Sequence, residues 1–145
     1  MNREAVTSKV VELLKEQRSV RFGKVQRDPI EPTELAKTAF PAVYVETTDE
    51  EIEDVTMRMG ASGNSLRHGV MEIAIILLIG GRERDTQRNV AIQATEATLM
   101  TDRTLDNTVE DIRLTRVESV AIGESAPYAT CRMIFTCEYC YTINI

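Results

Sequence analysis

Ten residues, Val70 to Ile79, constrain this chain more than any others. Written as a strand, they put Met71, Ile73, Ile75, Leu77 and Ile79 on one face and Val70, Ala74, Ile76 and Leu78 on the other, with Glu72 the single charged interruption. A strand apolar on both faces belongs in the middle of a sheet that is covered on both sides. One layer of helices covers only one of them, so a second source of cover is required. The run is also too short to cross a bilayer, which takes about 20 apolar residues.

The flanking segments fill in an α+β chain. Val6, Val10, Leu13 and Leu14 form an apolar stripe at helical spacing after Asn2, which predicts a first helix over about Arg3 to Gln17. Its closely spaced charges leave no apolar core for a secretory signal. Val20, Phe22 and Val25 suggest a short strand before the prolines at 29 and 32 break regular pairing. Thr33 is placed to cap a short turn through Thr38, and Val43 to Glu46 form a β-rich run. The dense acids Asp49, Glu50, Glu51, Glu53 and Asp54 read as a solvated loop. A long β-hairpin follows, from Ile52 through the small-residue loop Gly60 to Ser65 and back along Val70 to Ile79.

Asp85 or Thr86 can cap a second helix from about Gln87 to Met100. Its apolar residues fall on two sides, Val90, Ala94 and Ala97 on one and Ile92 and Leu99 on the other, so it calls for a second partner. Asp106-Asn107 mark a turn, and Ile112 and Leu114 begin a strand. Cys131, Met133, Phe135, Cys137, Tyr139 and Tyr141 alternate with mostly polar residues in the clearest strand of the chain. The predicted architecture is α+β, a mostly antiparallel sheet with two main helices packed on it and a long β-hairpin extension, in one domain over residues 1–145.

Chemistry is sparsely represented. The net charge of −6 argues against binding through nucleic-acid phosphates or anionic lipid. His68 is the sole imidazole, sits beside Gly69, and has no zinc-ligand spacing around it, so it reads as a loop residue. Cys137 and Cys140 make a C-x-x-C string, but positions three apart on a strand point to opposite faces. Neither Gly80-Gly81 nor Gly60/Gly63 matches a phosphate-cradling or dinucleotide loop. The first 28 residues carry seven bases against four acids, and residues 29–63 carry eight acids against two bases. A monomer with such blocks is unremarkable, whereas in a ring the basic segment of one subunit is placed to meet the acidic segment of the next.

The order of these pieces resembles the tail terminator, or tail completion, proteins of long-tailed bacteriophages. The resemblance is carried by VVELLKEQ in the first helix, Phe40-Pro41-x-Val43-x-Val45, MEIAIILLIGGRERD, NVAIQATEATLMTDRTL, VEDIRLTRVES and the terminal CRMIFTCEYCYT. The family commonly has glycine after the Thr-Leu pair, where this chain has Asp106-Asn107. The resemblance implies a structural subunit of a homo-oligomeric, hexameric ring at the tail–neck junction of a virion. That ring caps the head-proximal end of the tail tube, stops tube polymerisation and joins the neck. The implied partners are further copies of itself, the tail tube protein, the neck or head-completion protein and, in a contractile tail, the sheath. Viral DNA passes through without sequence-specific binding. No catalytic residue, cofactor, metal site or membrane contact is implied.

Two contact regions are expected. The hairpin residues Met57, Arg58, Met59, Leu66, Arg67 and His68 form a methionine-bearing, basic tip suited to a neighbouring subunit or the tube. Ile92 and Leu99 lie on the second apolar side of the second helix and suit an intersubunit surface. The competing readings are another neck ring component, such as a head-closure or connector protein, and a small enzyme or ligand-binding module using His68, Arg67 and Glu72.

Overall fold

The structure is a computed structural model and describes residues 3–32, 35–54, 64–81, 83–120 and 128–144. The elements are α1 (Arg3–Glu16), β1 (Lys24–Gln26), a single 3₁₀ turn (Lys37–Ala39), β2 (Ala42–Asp54), β3 (Asn64–Gly80), α2 (Arg84–Met100), β4 (Asp111–Val120) and β5 (Tyr128–Asn144). Among the described residues the strands form one sheet in the order β1-β2-β3-β5-β4. Every pairing is antiparallel except β1 with β2. The expected α+β class is therefore the observed one.

β3 is the central strand, as its two apolar faces require. Met71, Ile73, Ile75, Leu77 and Ile79 pack with Val6, Val10, Leu14, Ala91, Leu99 and the inward side of β5 in the main core, beneath both helices. On the opposite face, Ala74, Ile76 and Leu78 join Ala42, Ile134 and Ile30, with Leu35, Phe40 and Tyr44 packed against them. The second source of cover is thus the proline-containing connector between β1 and β2. It belongs to this chain, not to a neighbour.

The acidic run is not a loop. β2 continues unbroken from Ala42 to Asp54 and absorbs what the sequence divides into a strand, a solvated loop and a hairpin arm. A bulge between Thr47 and Glu50 shifts its phase by one residue. Val43 and Val45 face the helices before the bulge and Glu50 and Ile52 after it, while Glu51 and Glu53 fall on the outer face. Each half-run of charge is thereby split between two sides of the sheet, which makes the strand tolerable. The bulge is stitched by Thr48, whose hydroxyl donates to the Glu72 carbonyl at 3.3 Å.

The hairpin arms pair as far as Asp54 with Arg67, yet they do not project alone. β5 accompanies β3 along its whole length, out to Asn64 opposite Asn144, so the extension is three-stranded. The short strand expected from Val20 contracts to Lys24–Gln26, and the turn expected from Thr33 is the 3₁₀ turn at 37–39; Thr33 itself lies outside the described residues.

Candidate interaction surfaces

The expected contact residues scatter. Met57, Arg58 and Met59 lie outside the described residues. Leu66, Arg67 and His68 are half-buried in β3, with β2 or β5 beside them. His68 is no loop residue: it stands opposite Glu53 on β2, Nδ1 to Oε1 at 3.8 Å, and opposite Cys140 on β5. Arg67 falls on the helix-facing side, while His68 and Glu72 fall on the outer side. These three therefore do not converge on one pocket.

Leu99 is fully buried in the main core, and Ile92 is partly buried against it. The expectation that Leu99 reaches an intersubunit surface is therefore wrong. The packed face of α2 is Ala91, Ala94, Thr95 and Leu99, about one residue round from the Val90 stripe read in the sequence. Val90 is instead 51% exposed. The polar appearance of Thr95 conceals this face, since Thr95 is fully buried.

Charge blocks that suggest contacts between subunits are partly joined within one chain. Arg3 of the basic block donates its Nε–H to both carboxylate oxygens of Glu50 in the acidic block, at 2.8 and 3.0 Å, while Arg27 pairs with Glu4 inside the basic block. Arg3 also lies 5.9 Å from the Tyr141 ring centre, and Glu50 holds its guanidinium pKa above the ordinary value. Thr7 and Thr47 share a hydroxyl hydrogen bond of 3.0 Å, which ties α1 to β2 beside this pair.

Two surfaces remain. The first is the outer sheet face beyond the connector, where Glu46, Glu51, Glu53, Glu72 and Glu138 accompany His68, Arg113, Arg116 and Arg132. Arg113 reaches Glu138 at 3.2 Å and Arg116 reaches Glu118 at 2.6 Å. The second is the pair of sheet edges. β1 covers β2 only at Ala42, Val43 and Tyr44, so among the described residues Val45 to Asp54 has no strand on that side. Where β1 departs, a cleft of about 580 Å³ opens, lined by Arg27, Asp28, Val45, Glu46 and Thr47. At the other edge, among the described residues, β4 has no strand on its outer side, and it is bulged between Leu114 and Arg116. Thr115 stitches that bulge by donating to the Ile134 carbonyl at 3.1 Å, as Thr48 does on β2.

The turn between α2 and β4 is built without glycine. Leu105, Asp106 and Asn107 have φ of 46°, 58° and 63° in succession. Asp102 secures them: its carboxylate accepts from the Thr104 amide at 3.0 Å, the Thr104 hydroxyl at 2.7 Å and the Asp106 amide at 2.8 Å. These bonds, the Thr104 hydroxyl first, hold its pKa below the usual value. Arg103 then clamps Asp111 through two bonds of 2.7 and 2.9 Å, fixing the start of β4.

All three cysteines are free. Burial pushes the Cys137 thiol up to about 12 and also raises Cys131, while a hydrogen bond with Glu110 leads the rise at Cys140. None is poised as a nucleophile, which takes a thiolate stabilised near neutral pH. Among the described residues no group of three or more His, Cys, Asp or Glu side chains is placed to hold a metal ion. No helix among them is long and apolar enough to cross a membrane.

The sequence matches no described protein family and no curated protein. The fold is similar to that of a chain in a solved structure of the virion of the native gene transfer agent particle. The two superpose with a TM-score of 0.51 over 93% of this chain and 94% of that one, at 12% identity. Similarity at this level establishes a shared fold along essentially the whole length.

Proposed function

We propose that this chain is a structural protein of a virion, and within that class a tail terminator: a non-enzymatic subunit of a hexameric ring that caps the head-proximal end of the tail tube and joins it to the neck. The observation that carries the reading is the shared fold with a virion chain across 93% of the sequence. The order of sequence strings that resemble tail terminators supplies the finer step. The scattered polar residues agree with a role in assembly, because catalysis needs groups that converge.

In this reading the outer sheet face turns toward the bore. Acids outnumber bases there, and like charge keeps DNA phosphates from adhering as the genome passes. Omission of the protein from particle assembly tests the function. Tails of unregulated length that fail to join heads are the expected result. Normal-length tails on complete particles would refute it.

A further inference from the structure

The two open edges are matched to one another, and we infer that β4 of one copy adds to the β2 edge of the next copy, so that successive sheets run on as one. The inference takes from the proposed function only the identity of the occupant, a second copy of this chain.

The matching can be followed along rows of paired residues. Arg116 pairs with Ile134, Ile134 with Ala74, and Ala74 with Glu46, so Arg116 on one edge is level with Glu46 on the other. Through Thr136 and Glu72, Arg113 is level with the Thr48–Asp49 bulge. Through Met133 and Ile75, Val117, which is 37% exposed, is level with Val45 at the mouth of the cleft. A repeat about an axis along the strands therefore sets Arg116 against Glu46, Arg113 against the Thr48–Asp49 bulge, Val117 against Val45 and, in one like-charged row, Asp111 against Glu51. The directions agree as well. β2 and β5 run one way and β3 and β4 the other, so β4 of one copy meets β2 of the next in the antiparallel sense.

Charge also favours this pairing over one between two β2 edges. Two β2 edges would oppose Glu46, Asp49 and Glu51 to the same acids, whereas β4 offers that edge Arg113 and Arg116, flanked by Asp111 and Glu118. The head-to-tail combination brings opposite signs together in two rows, those of Arg116 and Arg113. Such a heterologous contact generates a closed ring when its rotation closes. The existing partners of these arginines do not prevent it, since Arg113 and Arg116 are 44% and 62% exposed and surface ion pairs of this kind contribute little. The contact uses Asp111 to Val117 of β4, because Glu118 to Val120 are level with Tyr44 to Ala42, where β1 already pairs; the cleft lined by Arg27, Asp28, Val45, Glu46 and Thr47 marks where β1 leaves the edge.

The test uses the full chain, with oligomer mass followed by native mass spectrometry, alone and with tail tubes. Glu46→Lys and Arg116→Glu are each expected to raise the concentration for half-assembly by about tenfold, and the two together to restore it. In a Cys140→Ala background, Glu46→Cys with Arg116→Cys is expected to give, on mild oxidation, a covalent ladder ending at the ring size. Rings that form normally in both single variants and give no ladder would overturn the edge contact and leave the ring itself standing. Wild-type chain that stays monomeric even on tubes would overturn the ring and the contact together.

Discussion

Gly69 and Tyr139 face each other across the β3–β5 ladder, and a Cβ on Gly69 would meet the tyrosine ring carbon Cζ at 2.2 Å. Tyr139 is 1% exposed, so the ring has nowhere to retreat. Gly69→Ala is expected to cost about 1–3 kcal/mol in urea unfolding, the usual cost of overpacking. Adding Tyr139→Leu should recover part of that loss, because the two sites share one space. The cysteines give a second prediction. A thiol reagent at about pH 8 should modify at most Cys140 in the folded chain and all three thiols after unfolding. Glu110→Gln should accelerate Cys140, since the Glu110 hydrogen bond leads the rise of its pKa. Single residues were legible in the sequence where a strand's period of two held, as in Cys131 to Tyr141. They were illegible where burial contradicted polarity, as at Thr95, which turned the packed face of α2 away from Val90 and brought Leu99 into the core.

The segment joining α2 to β4 shows what an element can hide. Three consecutive left-handed residues without glycine are costly, and the Asp102 carboxylate holds them by accepting three hydrogen bonds. Asp102 and Asp111 both titrate below the usual range, led by the Thr104 hydroxyl in one case and the Arg103 guanidinium in the other. A carboxyl whose pKa is lower folded than unfolded adds stability above its unfolded value, and that contribution is lost as pH falls through the folded value. Stability is therefore expected to decline below about pH 4, with a shallower decline in Asp102→Asn and Asp111→Asn; urea midpoints against pH measure it. β2 escaped detection as a single strand for a related reason. Its bulge at Thr47–Glu50 changes phase, so Val43 and Val45 and then Glu50 and Ile52 share a face that no unbroken alternation reveals. The edge positions of β2 and β4 depend on strand order, which no local pattern encodes.

For the whole molecule, the two-sided apolarity of Val70 to Ile79 placed β3 at the centre of the sheet from sequence alone, and the need for cover on both faces was also legible. The identity of that cover was not. Ile30, Leu35 and Phe40 supply it from a connector whose prolines mark only broken pairing, so apolar faces give no argument for a ring. Among the described residues, assembly is better served by the sheet edges, where the acidic β2 edge is level with Arg113 and Arg116 of β4. The central claim, that the chain ends a growing tube, is tested most directly by adding purified protein to polymerising tail tubes and measuring length and end density by electron microscopy. Tubes arrested at a length that falls as more protein is added, each with extra density at one end only, are the predicted result. Tubes that keep growing with bare ends at saturating protein would contradict it.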